Sequence, residues 1–201
     1  RWNFPEPAAR LRSKSPVETV LDLAIGELVI QGAQIHYEDA VVPIDLRSHD
    51  FVAQLRFERS ARAYSGNFAM RRSTLAQPLA VPVQFDLRGP IRIDSAGLAM
   101  HGVDASVGKS ALRGNVTLSN WRTPQLTLDG DGTVHVADLH KPLRLPIQPA
   151  GTLSVKGQLT AGSGDWHAAG DLAASGIAYA VRGIRINGVN ATAAWAAAPG
   201  L

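Results

Sequence analysis

The tripeptide Gly108-Lys109-Ser110 is the part of the sequence closest in form to a ligand-binding motif. A phosphate-binding loop has the form G-x-x-x-x-G-K-S, because successive backbone N–H groups must wrap a phosphate at the start of a helix. Five residues separate Gly102 from Gly108, one more than this loop has, and the residues that follow alternate as in a strand. The sequence therefore predicts a strand after the tripeptide and no nucleotide site.

The histidines and acidic residues form no metal-binding pattern. None of the six His belongs to an H-x-H or H-x-x-x-H pair, and we interpret them as polar residues on the solvated faces of strands: His36, His49, His101, His135, His140 and His167. The run 129–132, Asp-Gly-Asp-Gly, lacks the third acidic position and the downstream Glu of a calcium loop. Because Asp-Gly pairs are typical of tight hairpin turns, we expect a turn there. We predict no metal ion and no other cofactor.

Catalytic arrangements are also missing from the sequence. The chain has no Cys, so it can form neither a thiol nucleophile nor a disulfide framework. It contains no Gly-x-Ser-x-Gly elbow. All five Glu precede residue 60 and the Asp are spread along the chain, which does not indicate the facing carboxylates of a glycosidase. We therefore predict no catalytic residue and a protein that is not an enzyme.

Composition and charge narrow the class of protein further. The 201 residues are 45% hydrophobic and 18% charged, with a formal net charge of +3. These values indicate a folded chain with a sizeable core and no nucleic-acid partner. No stretch approaches the roughly 18 apolar residues of a membrane-spanning helix. The densest basic cluster is interpreted as a charged strand edge or loop, or alternatively as a contact for anionic headgroups: Arg56, Arg59, Arg62, Arg71 and Arg72.

The elements that must position these residues are strands, because apolar and polar residues alternate along most of the chain. Val81 to Arg88 alternates for eight residues, and Leu126-Thr-Leu-Asp129 and Leu153-Ser-Val-Lys156 repeat the pattern. Period two gives each strand one apolar and one polar face, whereas a buried parallel sheet would show continuous apolar runs. We predict a mostly β, antiparallel fold with a single apolar face and with one or two short helices. The alternation fits both an open sheet with an apolar groove, the long curled form that the resemblance described below implies, and a closed β-sandwich, whose two apolar faces meet.

Local signals divide the chain into segments. Ser15-Pro16-Val17-Glu18 has the form of a capping box, which predicts a helix over residues 16–23. A single helical turn is expected from Val136 to Pro142, capped by Asp138. Residues 1–15 are interpreted as a linker or loop, and residues 16–201 as one repetitive β domain from a longer protein. Glycines are taken as turn signals between strands, among them Gly66, Gly89-Pro90 and Gly114, while Gly157 inside a strand is taken to mark a bulge or bend.

Three stretches, in order along the chain, resemble the AsmA/TamB-like family of bacterial envelope proteins. The first resembles the opening strands of that family, the second its Gly-x-Ser-x-Leu-x-Gly-x-Leu, Pro-x-Leu-x-Leu and Asp-Leu repeat, and the third its G-x-L strand. They are residues 17–39 with 43–51, residues 108–118 with 124–128 and 138–139, and residues 151–159. The resemblance covers about residues 16–190 and carries no catalytic motif.

The resemblance implies a periplasmic protein that is anchored in the inner membrane by an N-terminal helix lying outside this segment. It implies a β-taco, a curled sheet whose apolar concave groove serves phospholipid transport between the inner and outer membranes, or outer-membrane assembly. The implied partners are phospholipid acyl chains, the remainder of the same chain, and an outer-membrane assembly protein. The alternative function is that of an envelope or secreted β-domain in adhesion or scaffolding.

An aliphatic groove would remove an acyl chain from water. Burial of each CH₂ group lowers the free energy by roughly 0.8 kcal/mol. The low aromatic content, 6%, suits a lining along which a chain can slide. We expect the groove to be lined by apolar residues of the alternating runs: Val81, Val83, Phe85, Leu87, Val116, Leu118, Leu126, Leu128, Leu153 and Val155.

Overall fold

The computed structural model describes residues 16–39, 44–77, 81–145, 149–162, 164–181 and 183–199. Ten antiparallel strands form one sheet in which the order of strands follows the order of the chain. The strands are β1 (Glu27–Asp39), β2 (Ile44–Glu58), β3 (Ala63–Gln77), β4 (Val83–Ile93), β5 (Gly97–Val107), β6 (Ser110–Ser119), β7 (Gln125–His135), β8 (Ala150–Gly162), β9 (Asp165–Val181) and β10 (Ile184–Ala197).

The prediction of a mostly β, open antiparallel sheet is confirmed. In the described part of the chain, β1 and β10 pair only with β2 and β9, so the sheet does not close on itself. All ten strands belong to this one sheet, which excludes the alternative of two sheets packed as a sandwich for these residues. The predicted linker, residues 1–15, lies outside the described residues.

Within the described ranges, two short helices accompany the sheet, as the sequence predicts. The first, α1 (Pro16–Leu23), packs on the apolar face of the sheet, where Leu21 joins the buried cluster formed by β2 to β5. The Tyr64 hydroxyl donates a hydrogen bond to the backbone oxygen of Val20 at 3.5 Å, and Arg62 forms an ion pair with Asp22 at 2.9 Å. The second is a 3₁₀ helix, Val136–Leu139, between β7 and β8. Helix α1 therefore covers one part of the apolar face.

Residues that pair across neighbouring strands point to the same face, so rows of partners show what each face is made of. One row crosses all ten strands and contains only apolar residues and glycine: Ala33, Phe51, Met70, Leu87, Ala105, Leu112, Gly132, Val155, Leu172 and Ala193. This row explains the alternation in the sequence. It places a continuous apolar surface on one side of the sheet, running across the strands.

The opposite face carries a ladder of alternating charges across β4 to β9. Successive cross-strand partners are Arg88, Asp104, Arg113, Asp131, Lys156 and Asp171. Asp104 lies 3.8 Å from Arg88 and 4.0 Å from Arg113, measured between charged atoms. Such cross-strand pairs contribute roughly 0.2–1 kcal/mol each. They also favour one register, because a slip by one residue would move every charge to the apolar face.

The substitution Asp131→Lys should lower the free energy of unfolding by about 1–2 kcal/mol in urea denaturation at low salt. The new ammonium would lie between Arg113 and Lys156, two like charges. High salt should shrink the loss, since screening shortens the range of the repulsion. The control is Thr133→Lys, on the same strand and face but with uncharged partners. Equal losses for both variants would contradict the ladder.

Several glycines predicted to mark turns lie inside strands. Gly66, Gly89-Pro90 and Gly114 lie within β3, β4 and β6, and the run 129–132 lies within β7 with partners on both sides. The predicted tight turn at 129–132 is therefore wrong. The two aspartates of this run alternate onto the charged face and its two glycines onto the apolar face. The prediction failed because pairing with two strands distant in sequence, through Gly114 and Gly157, overrides the local turn signal of the Asp-Gly pairs.

A line of four glycines crosses the middle of β6 to β9 on the apolar face. Gly114, Gly130, Gly157 and Gly170 are successive cross-strand partners, and no register shift occurs at Gly157, so that position is a bend without a bulge. A Cβ at Gly114 would overlap the backbone oxygen of Asp129, and one at Gly170 would overlap that of Lys156. We infer that the sheet folds along this line, where the backbones at Gly114 and Gly170 approach too closely for a side chain.

Bulges add to the curl of the sheet. Register shifts occur in β1, β2, β3, β5, β9 and β10, and a bulge bends its strand and increases the local twist. In three of them the bulged residue has a positive φ and donates its N–H to a side chain of the following strand: Arg72 to Asp86 at 2.7 Å, Gly102 to Asn115 at 3.0 Å, and Gly176 to Asn190 at 3.0 Å. A bulge that is held by a side chain of the next strand therefore recurs along the sheet.

Candidate functional site

The apolar face changes character from one part of the sheet to the other. Under α1, across β2 to β5, the side chains are buried: Leu55 and Val103 are each 4% exposed. Further along, Leu112 on β6 and Leu128 on β7 are 40% and 41% exposed. No described residue covers this second part. The face is a filled core at one side and an open groove at the other.

An apolar pocket of about 350 Å³ lies in the open part. Its lining comes from six strands, β4 to β9, with one residue of β10. The apolar side chains are Leu87, Val103, Ala105, Leu112, Val116, Leu128, Val155, Leu159, Ala168 and Trp195. These residues belong to rows on both sides of the glycine line. The pocket therefore lies along the line where the sheet folds.

The structure places nine of the ten predicted lining residues on strands of the apolar face. Val81 is the exception, since it precedes β4. Four of them line the pocket: Leu87, Val116, Leu128 and Val155. The other five lie on the same face outside the pocket: Val83, Phe85, Leu118, Leu126 and Leu153.

Some lining residues were not singled out from the sequence. Leu112 begins an alternating stretch, and Leu159 continues the one at Leu153, so a longer reading of the same pattern would have found both. Trp195 gives no such signal, because it stands alone among alanines.

The Gly108-Lys109-Ser110 segment joins β5 to β6, and a strand follows it, as the sequence predicts. Its backbone does bind an anion, but the anion is the carboxylate of Asp138. Oδ2 of Asp138 accepts hydrogen bonds from the N–H groups of Lys109 at 2.9 Å and Ser110 at 3.0 Å, and from the Ser110 hydroxyl at 2.7 Å. The prediction that Asp138 caps its own helical turn is wrong, because this hairpin occupies its carboxylate.

Burial acts to raise the pKa of Asp138, but the hydrogen bonds from Ser110 and Lys109 outweigh it and hold the pKa below the usual 3.8. At neutral pH, Asp138→Ala should therefore lower the free energy of unfolding by about 1–2 kcal/mol. The ionised carboxylate stabilises the fold above pH 3.8, and this contribution is lost as the pH falls through the lowered folded-state pKa. Urea denaturation at several pH values should show the two proteins converging in acid.

The control for this prediction is Lys109→Ala, since Asp138 binds the backbone of Lys109. That variant should keep the stability of the wild type. A loss for Asp138→Ala that stays constant down to strongly acid pH would contradict the assignment.

A second polar cluster joins β1 and β2. Arg47 donates two hydrogen bonds to the carboxylate of Asp45, at 3.0 and 2.9 Å, and Nε2 of His36 lies 3.2 Å from the same carboxylate. The hydrogen bond from Arg47 is the main reason that the pKa of Asp45 is lowered. Among the described residues, no group of three or more His, Asp or Glu is arranged to hold a metal ion.

The basic cluster of the sequence is divided by the fold. Arg56 is near the end of β2, and Arg59 and Arg62 lie in the turn that follows. Arg71 and Arg72 lie at the bulge of β3, further along that strand. Because Arg62 is also paired with Asp22, the five arginines do not form one basic surface.

Fold and groove together define a class: an open, single-layered antiparallel sheet with one charged face and one apolar, partly uncovered face. Comparison with protein-family models, curated proteins and solved structures gives no match to this chain. No helix in the described ranges is long and apolar enough to cross a membrane.

Proposed function

We propose that this chain is a non-enzymatic segment of a periplasmic, AsmA/TamB-like envelope protein. Its groove holds phospholipid acyl chains for transport between the inner and outer membranes, or for outer-membrane assembly. The observation that carries the proposal is the uninterrupted apolar row across all ten strands, left uncovered over β6 and β7. The three sequence stretches that resemble the family support the same function.

The direction of the groove suits a long, flexible ligand. Rows of cross-strand partners run perpendicular to the strands, so the apolar surface extends along the sheet. Neighbouring strands lie about 4.8 Å apart, which gives the five strands β5 to β9 a span of about 19 Å. An acyl chain lying along this span would contact one side chain after another.

Energetics favour an acyl chain as the occupant. A chain of about sixteen carbons gains on the order of 13 kcal/mol when it leaves water completely. The lining offers aliphatic carbon from Leu112, Leu128 and Val155 and places its charges on the opposite face. Without a polar anchor in the row, a chain can move along the groove between positions of similar energy, as transport requires.

A scaffolding role in the envelope remains the second candidate, because β10 offers a long edge. This strand of 14 residues has described partners on one side only, and Arg185 is its single charged residue. Unpaired strand edges readily add a further strand. In that case the edge of β10 would carry the function and the groove would take no lipid.

Photo-crosslinking tests the proposal. A benzophenone amino acid is placed at Leu87 or Leu128 on the apolar face, and at Gln84 or Asp86 on the other face of β4. After irradiation with phospholipid vesicles, mass spectrometry should find lipid adducts at the first two positions only. Equal labelling of both faces, or none at either, would refute the function.

A further inference from the structure

Trp195 lies across the glycine line at the β10 end of the groove. Its ring extends from β10 over β9 to β8. Nε1 is 2.8 Å from the position that a Cβ of Gly170 would take, and Cζ2 is 3.1 Å from that of Gly157. The indole therefore occupies the space that two absent side chains leave free.

The ring also bounds the apolar pocket. Leu112, Leu128 and Val155 form the aliphatic lining in front of it, and Trp195 is the one aromatic residue among the described residues of that lining. Under and beside the ring, the apolar face carries small residues: Gly157, Gly170, Ala193 and Ala197. With the indole in this position, the part of the floor along the glycine line is covered from β8 to β10.

The indole N–H has no hydrogen-bond acceptor among the described residues, although Nε1 is fully buried. A buried donor without a partner costs free energy, because it has given up its hydrogen bond to water. The observed position of the ring thus combines favourable apolar contact with an uncompensated polar atom. A position in which the ring stands away from Gly170 would expose the N–H to water or to an oxygen of a ligand.

We propose that Trp195 is a gate for acyl chains at the β10 end of the groove. In the closed position the ring covers Gly157 and Gly170. When it swings away, the two glycines become floor, the acyl path lengthens toward β10, and the N–H binds water or a lipid ester oxygen. This inference rests on the proposed function, since the gate has meaning only if acyl chains occupy the groove.

Exchange kinetics test the gate. Uptake and release of cis-parinaric acid, a fatty acid that fluoresces in apolar surroundings, are followed by stopped flow. Trp195→Ala removes the ring and should accelerate both steps about tenfold. Benzothienylalanine in place of Trp195 keeps the shape of the indole without its N–H. It should slow both steps several-fold, because the closed position then no longer leaves a donor unpaired.

A second variant moves the gate while keeping the indole. Gly157→Ala places a methyl group against Cζ2, which should lift the ring, shift the Trp195 emission to longer wavelength and accelerate exchange. The control is Trp121→Phe, in the turn between β6 and β7, whose N–H donates to the backbone oxygen of Asp94 at 2.9 Å. Exchange in that variant should match the wild type.

The outcomes distinguish a failure of the gate from a failure of the proposed function. If the wild type binds cis-parinaric acid and Trp195→Ala exchanges it at the wild-type rate, the gate is overturned while the groove stands. A benzothienylalanine variant as fast as the wild type would also overturn it. If no variant, including the wild type, binds the fatty acid, the proposed function itself has failed.

Discussion

The double substitution Leu112→Glu and Leu128→Glu is expected to weaken acyl-chain binding strongly and to leave the protein folded. Both side chains line the pocket, and at 40% and 41% exposure the new carboxylates remain hydrated in the unliganded protein. A bound chain would strip that water from two charges, which is strongly unfavourable. Binding of cis-parinaric acid should weaken at least tenfold, equivalent to about 1.4 kcal/mol.

The matched control is the double substitution Ala111→Glu and Thr127→Glu. Each position immediately precedes one of the leucines and therefore lies on the opposite face of the same strand. These carboxylates change the net charge equally without entering the groove, so binding should stay at the wild-type level. Equal weakening by both pairs would mean that charge, and not the groove, governs binding.

The largest effect on stability is expected for Gly114→Ala. A Cβ at this position would overlap the backbone oxygen of Asp129 and lie 3.1 Å from Cα of Gly130. Backbone cannot rotate aside as a flexible side chain can, so β6 and β7 would have to separate. We expect a loss of about 3 kcal/mol in the free energy of unfolding, measured by urea denaturation.

Gly26→Ala provides the comparison, because a Cβ there meets no atom within 4 Å and the φ of Gly26 is not positive. That variant should be neutral or slightly stabilised, since alanine restricts the unfolded chain. A loss at Gly114 no larger than at Gly26 would show that the sheet can relax at the glycine line, contrary to the close approach of its backbones.

The sequence determines the one-sided sheet because alternation is a local property. The runs at Val83 and Leu126 fix which residues share a face, and the helix at residues 16–23 follows from local capping signals. The alternation alone could not decide between an open sheet and a sandwich, because it serves both. The role of residues 129–132 could not be predicted either, since the partners that make Gly130 a point of folding, Gly114 and Gly157, are distant in sequence.

The residues of the candidate site also fall into two groups, those that the sequence could predict and those that it could not. Leu87 and Val155 were predictable as groove residues because they belong to long alternating runs. Trp195 and Asp138 were not, because their roles depend on contacts across strands or turns: Trp195 with Gly157, and Asp138 with Ser110. The alternation after Gly108 correctly predicted a strand there, but only the fold shows that the carboxylate of Asp138 binds this segment.

Because each described strand pairs only with its neighbours in sequence among the described strands, the sheet is close to a one-dimensional chain of hairpins. In such an architecture, stability is roughly a sum of nearest-neighbour terms. Evolution can therefore insert or delete a hairpin without rebuilding a shared core, provided that the new strands continue the rows. The number of strands then sets the length of the groove, at about 4.8 Å for each strand.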